Sequence, residues 1–407
     1  MLLVCEMLLN DALYPSMNQV TTFFSPRKIV FGPGSRRNLG EEIRSLGGSK
    51  ILVVTYLGSA GAASMVEIVK PLESDGAEIS VYDKAEPEPR IEIAEDLAEY
   101  TRAAGFDLIV GLGGGSVMDL AKIASMSTAN PGQVRDYLGV NLVSRRGAPL
   151  ICMPTTSGTG SEVTMFSVLT VNGRKMDVVS PHILPDVALI DPVLTVTMPP
   201  EVTAGTGMDA LSQAIETVTS LASTPLTDAL ALKAVQLAGR ALRVAYAEGG
   251  NLKVRCEMAL AATLSGLAFG SGKLTLGHSL AQTFGPLRKI PHGVSCGIAL
   301  PYVMEFYLPV IPEKLRLIAE ALGAQVRGMS PSDAGLEAIR LVKNLARDLG
   351  IPSSLREVGF DKGELPLLAE TCVKEWPRPN SPRELTTESV LEVLERMWHG
   401  KDPTIDR

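Results

Sequence analysis

Four side chains in the second half of the 407-residue chain have types and spacing suited to holding a divalent metal. Asp209 and Gln213 lie four apart in 207-GMDALSQAIE-216, so on a helix they project from one face. Two of the four histidines, His278 and His292, fall in 277-GHSLAQTFGPLRKIPHG-293. One carboxylate, one amide oxygen and two imidazoles can hold a cation and leave a position open to substrate. The spacing carries blander readings too. Asp209 follows Gly205-Thr206-Gly207 and would equally cap a helix, and buried histidines commonly have structural roles.

Two loops in the first half point to a phosphate-bearing ligand. In 111-GLGGGSVMDLAK-122 the glycines Gly113, Gly114 and Gly115 join an apolar strand to a helix. Free amides at that helix start, with Ser116 beside them, form an anion site suited to a pyrophosphate. A tight turn with no ligand explains such a loop about as well when it stands alone. The loop also follows the third strand of the series, so it is not the usual dinucleotide fingerprint. A second loop, 154-PTTSGTGSEVT-164, follows another short strand and carries hydroxyls at Thr155, Thr156, Ser157, Thr159, Ser161 and Thr164. Two such loops after two strands favour a bound nucleotide over a pair of turns.

The elements that must position these residues differ between the halves. Apolar runs at Lys50–Thr55, Glu78–Tyr82, Asp107–Gly111, Leu150–Met153 and Val187–Ile190 alternate with helix-like stretches. That alternation predicts an α/β domain with a parallel sheet covered on both faces. After Met198-Pro199-Pro200 the chain turns Ala- and Leu-rich, as in Thr227–Ala247, Lys253–Ala268 and Thr387–Trp398, which predicts an all-helical domain. The expected division is therefore 17–198 and 199–407. Residues 1–16 read as a loosely held or over-extended start, with Met17 as the alternative beginning.

Composition narrows the function classes. A net charge of −7 without a dense basic run argues against a nucleic-acid partner. No window approaches the roughly 20 apolar residues of a membrane span. The five cysteines are scattered without a CxxC pair, which fits a reduced, cytoplasmic protein better than a disulfide framework. His182 in SPHILPD reads as structural, His399 as solvated, Trp376 and Trp398 as packing residues, and Glu88 as a loop acid near the end of a strand.

Across nearly its whole length, from about Phe23 to Trp398, the chain resembles the iron-containing (group III) alcohol dehydrogenases. The resemblance rests on GGGSVMDLAK, PTTSGTGSEVT, PHILPDVALIDP, GMDALSQAIE and HSLAQTFGPLRKIPHG, in that order. It implies a dinucleotide-binding α/β domain, a helical domain and a metal, Fe(II) or Zn(II), in the cleft between them. It implies alcohol–carbonyl interconversion by hydride transfer with NAD or NADP, in a homo-oligomer, most simply a dimer. Asp209, His278 and His292 fall on the family's metal ligands. Gln213 stands where the fourth ligand is usually histidine, and Gln282 replaces a further histidine near the nicotinamide. The resemblance sets Gly114, Gly115, Ser116, Thr155, Thr156, Thr159, Thr164 and Lys175 at the cofactor, with Gly113 and Asp119 of the same loop and helix. Tyr56 occupies the position where NAD-preferring members carry an aspartate, which permits NADP. Two alternatives are a same-fold glycerol dehydrogenase or dehydroquinate synthase-like enzyme, and a nucleotide-binding protein with degraded catalysis.

Overall fold

The computed structural model describes residues 14, 20–56, 68 and 77–400. The expected N-terminal extension lies outside these residues, with Cys5 and Met17, except for Tyr14. Tyr14 is buried, and the Lys314 ammonium sits 4.0 Å from its ring centre. The chain forms two units, Phe24–Met198, and Pro199 onward joined by described residues before Phe24.

The first unit is built on six parallel strands in the order β1-β9-β6-β4-β2-β3. They are β1 (Lys28–Phe31), β2 (Lys50–Thr55), β3 (Glu78–Tyr82), β4 (Leu108–Gly113), β6 (Leu150–Pro154) and β9 (Val187–Ile190). Side chains alternate across the sheet, as pleating requires. Leu52, Val54 and Ile109 pack with Leu97 of α2 (Ile91–Ala104) and Leu120 of α3 (Gly115–Ser127). Ile51, Val53 and Val110 pack on the other face with Leu39 and Ile43 of α1 (Leu39–Ser45). Both faces are thus covered, which explains the unbroken apolar strands.

Three features of this unit differ from the sequence reading. Strand β1 was not anticipated: it is four residues long, packs only Val30 on the core while Ile29 and Phe31 stay exposed, and pairs with β9 at the sheet edge. The glycine loop therefore follows the fourth strand in the chain. A second sheet also forms, from β5 (Gly139–Val140), β7 (Phe166–Val171) and β8 (Arg174–Val179). Its β7–β8 hairpin turns on Asn172-Gly173, both with positive φ. That dipeptide is a strong hairpin signal and was available in the sequence.

The order of the main sheet matters for binding. From β2 the chain steps outward to β3, then returns to place β4 on the other side of β2. Ligands of open α/β sheets bind at the carboxyl ends of strands where the order reverses. The Gly113–Gly115 loop leaves β4 at that reversal, and Tyr56 lies just past the end of β2.

The second unit is helical among its described residues: α4 (Pro200–Thr219), α5 (Pro225–Ala247), α6 (Leu252–Gly272), α7 (Leu276–Phe284), α8 (His292–Tyr307), α9 (Pro312–Ala321), α10 (Pro331–Asp348), α11 (Leu365–Glu375) and α12 (Thr387–His399). One continuous apolar core joins them, running from Met208 and Leu211 of α4 through Ile298 of α8 to Leu394 of α12. No helix among the described residues is long and apolar enough to cross a membrane.

Candidate functional site

The two loops of the first unit meet. A Cβ added at Gly115 would lie 2.7 Å from Thr159 Cγ2, and one at Gly114 would lie 3.4 Å from Thr156 Oγ1. The glycines are what let the second loop lie against the helix start. Thr155 N donates to Gly113 O at 3.0 Å, stitching the loops together at their base. Helix α3 starts at Gly115 after a Gly114 cap that supplies no side chain, so its first amides are left to a ligand or to water. A helix start of this kind is a backbone arrangement that can receive an anion.

Other residues expected at the cofactor have protein partners here. Asp119 and Lys122 are both buried, 3.8 Å apart. Ser161 Oγ and Val168 N donate to the Asp119 carboxylate at 2.8 and 3.1 Å. Lys122 Nζ donates to Ser161 Oγ at 2.7 Å and to Phe166 O at 2.6 Å. Burial raises the pKa of Asp119 and lowers that of Lys122, and each charge partly offsets the other's shift. Asp119 thus braces the second loop from behind, and Thr164 lies buried in the same cluster. Ser116 Oγ accepts from Glu88 N at 3.1 Å, and Lys175 Nζ donates to Glu88 Oε1 at 2.9 Å. Tyr56 is exposed and bridges to Lys84.

In the second unit, ligating atoms of Asp209, His278, His292 and Cys296 lie within 4.8 Å of one another. Asp209 sits in the middle of α4, two turns past its start at Pro200, so the capping reading is excluded. His278 comes from α7, and His292 opens α8. Close helix approach makes the meeting possible. A Cβ on Gly293 would lie 2.0 Å from Gly205 O, so the glycine after His292 lets α8 lie directly on α4. A Cβ on Gly277 would lie 2.4 Å from Glu216 Oε1 and would push Glu216 off His278.

Asp209 Oδ1 is 3.5 Å from His278 Nε2 and 3.7 Å from His292 Nε2, and Cys296 Sγ is 3.7 Å from His292 Nε2. Donors held 2.0–2.3 Å from a tetrahedral metal lie roughly 3.3–3.8 Å apart, so these spacings fit an ion. Glu216, one further turn along the Asp209–Gln213 face, supports the arrangement from behind. Its Oε1 is 2.7 Å from His278 Nδ1, and its Oε2 accepts from Thr275 N and Oγ1 at 2.8 and 3.1 Å. Burial opposes its ionisation, but His278 and the Thr275 amide outweigh burial and hold the carboxyl below the usual range. An ionised Glu216 makes Nδ1 the nitrogen that keeps its proton, so in the neutral imidazole that a metal would bind the Nε2 lone pair faces the cluster. That Nε2 is buried and makes no well-formed hydrogen bond among the described residues. Burial disfavours a charge on His278, but the facing Cys296 sulfur and the Glu216 and Asp209 carboxylates raise its pKa well above its usual value, while burial pushes the Cys296 thiol itself up to about 11. The cluster is thus tuned to hold positive charge.

The two glutamines are placed differently. Gln213 is buried on the Asp209 face of α4, and its Oε1 faces the Ser265 hydroxyl at 3.2 Å. Gln282 is half-buried on α7 and accepts from Arg378 Nη2 at 3.3 Å. Arg378, Glu216 and Cys296 escaped the sequence reading. Glu216 is seven residues after Asp209 and Cys296 four after His292, both helical same-face spacings that could have shown them. Of the remaining residues, His182 and His399 are exposed, and Trp398 donates Nε1 to Phe360 O at 2.8 Å.

Comparison with known proteins covers both units. The iron-containing alcohol dehydrogenase profile matches residues 26–192, and the profile of that family's C-terminal region matches residues 203–398. The NAD-dependent methanol dehydrogenase of Bacillus methanolicus is 35% identical over 379 residues, covering 92% of this chain and 99% of its own. The lactaldehyde reductase of Escherichia coli (strain K12) is 34% identical, over 90% of this chain and 97% of its own. The solved alcohol dehydrogenase from Oenococcus oeni superposes with a TM-score of 0.89 at 33% identity, over 93% of this chain and 100% of its own.

Proposed function

This chain belongs to the iron-containing alcohol dehydrogenase family, and on that premise we propose which of its residues carry the family's reaction. It is a metal-dependent NAD(P) oxidoreductase that interconverts an alcohol and an aldehyde or ketone by hydride transfer. In our reading Asp209, His278 and His292 hold the divalent metal, with Gln213 beside them on the Asp209 face. The observation that carries this is the convergence of three helices on one small cluster, with Glu216 fixing the tautomer of His278. The metal, when bound, supplies a Lewis acid that polarises the substrate oxygen. The chain's own part is orientation. Backbone amides at Gly114–Ser116 and the hydroxyls of Thr155, Thr156 and Thr159 bind the cofactor pyrophosphate, and Lys175 and Thr164 secure the flanking strand and loop. Gln282 carries no proton at neutral pH, so the substrate proton leaves by water or a cofactor hydroxyl.

Tyr56 brings no carboxylate to the end of β2, and its bridge partner is Lys84, so NADP(H) is accepted at least as well as NAD(H). The protein is cytoplasmic, which suits the absence of a disulfide at Cys152, Cys256, Cys296 and Cys372 among the described residues. It is a homodimer, for which the half-exposed Ile29 and Phe31 on edge strand β1 are the support.

The test is oxidation of NADH and NADPH across a set of aldehydes, with metal analysis of the same preparation. We expect bound divalent metal and turnover with both cofactors. His292→Ala should remove the metal and at least about 100-fold of the activity, since the Lewis acid is worth several kcal/mol. Full activity in metal-free protein would exclude the assignment, and a preference of about 100-fold for NADH, or ~2.7 kcal/mol, would exclude the reading of Tyr56.

A further inference from the structure

We infer that Cys296 is a metal ligand, replacing the missing fourth imidazole with a thiolate. The inference rests on the reading of Asp209, His278 and His292 as ligands and goes beyond it by assigning the remaining donor. A buried cysteine is ordinarily an inert core residue. Cys152, Cys296 and Cys372 are all buried, so burial does not distinguish them. Neighbours do. Cys296 alone among the described cysteines lies in the Asp209–His278–His292 cluster, with its Sγ 3.7 Å from His292 Nε2.

The backbone makes the placement systematic. His292 and Cys296 are the first and fifth residues of α8, so one helix turn brings both side chains to the face that Gly293 seats on α4. Across from them is the buried Nε2 of His278, whose Nδ1 is already committed to Glu216. The competing donor, Gln213 Oε1, lies 3.2 Å from the Ser265 hydroxyl, whose one proton also reaches Ala210 O at 2.9 Å, so the chemistry of the donors separates the two rather than availability. An amide oxygen is a hard donor, whereas a thiolate is soft. The donor set read here is one carboxylate, two imidazoles and one thiolate, a combination that suits zinc or cobalt better than magnesium or manganese. In a chain that lost the usual histidine at 213, the thiolate restores a fourth donor from a different helix.

The experiment is Co(II) titration of metal-stripped protein, read by absorption. Thiolate coordination gives a sulfur-to-cobalt charge-transfer band in the near ultraviolet that oxygen and nitrogen donors do not. We expect that band with one cobalt per chain, in the parent and in Gln213→Ala. Cys296→Ser should abolish it and weaken cobalt binding by at least about 10-fold, since even outer-shell partners of a metal site are worth 10–100-fold. Circular dichroism of the metal-free proteins checks that the serine variant folds, and the parent's band decides the matter if it does not. One cobalt per chain without the band would overturn the role of Cys296 while leaving the metal site standing. No cobalt binding at all would overturn both.

Discussion

Each unit buries a carboxylate in the middle of a helix, and the two are completed in different ways. Asp119 on α3 is closed from within: the Lys122 amine lies 3.8 Å away, and Ser161 Oγ and Val168 N fill its lone pairs. Asp209 on α4 instead faces imidazoles at 3.5 and 3.7 Å, which carry charge when protonated or offer lone pairs to a metal. The outer imidazole nitrogen of His278 is already held by Glu216. A buried acid completed by a lysine is a brace, because nothing further needs to enter. A buried acid completed by oriented lone pairs is a receptor for a cation. On the proposed reading, the same residue type at similar depth serves structure in one unit and chemistry in the other.

Removing the internal cation should break the brace. Lys122→Met leaves Asp119 buried without its charge partner, a change that costs about 3–5 kcal/mol. We expect melting to fall by roughly 6–12 °C or more, with the metal content of folded protein unchanged. A variant that melts with the parent would show that Lys122 does not brace Asp119, and the contrast would collapse.

A smaller effect should sharpen the receptor side. Glu216→Gln keeps the shape of the side chain but removes the charge that holds Nδ1 of His278 protonated. Metal affinity should drop by about 10–100-fold, as for other carboxylates behind a ligating histidine. Equilibrium metal titration with a competing chelator measures this directly. Unchanged affinity would mean that Glu216 packs against His278 without tuning it.

How much of this contrast could be read from the sequence follows from how each site is assembled. The glycine loop and its helix are contiguous, so backbone chemistry at Gly113–Ser116 is spelled out in a single run. The β7–β8 hairpin was equally legible through Asn172-Gly173, although its strands alternate with polar residues and lack the unbroken apolar runs of the main sheet. Strand β1 is apolar but short: the four residues KIVF are too few to show a period that separates a strand from an isolated apolar run. Among the metal-cluster residues, Asp209, His278 and His292 stood out through the family resemblance rather than through spacing. Glu216 and Cys296 were at readable helical intervals but had no partner in sequence. Their meaning appears when Gly293 lets α8 lie on α4, a contact between residues 88 apart in the chain. The role of Asp119 was hidden for the same reason: Ser161 and Val168 lie more than 40 residues away.

A third carboxylate, exposed where the other two are buried, supplies the smallest test. Asp107 precedes β4 and accepts from Ser49 N, Lys50 N and Ser49 Oγ at 3.0, 2.9 and 2.6 Å, fastening the start of β2 to that of β4. Partial burial pushes its pKa up, but these three donors outweigh burial and leave it below 3.8. A carboxyl whose folded pKa lies below its unfolded value adds stability above the unfolded value and loses it as pH falls through the folded one. Water screens this exposed group, so the contribution at neutral pH is less than about 1 kcal/mol. Asp107→Asn should therefore melt slightly below the parent at pH 7. The gap should stay constant down to about pH 5 and then close as the parent's carboxyl takes up its proton. Melting curves of both proteins between pH 7 and pH 3 measure it. A gap that widens towards acid would reverse the sign and show that Asp107 is held in its protonated form, as a buried acid without donors would be.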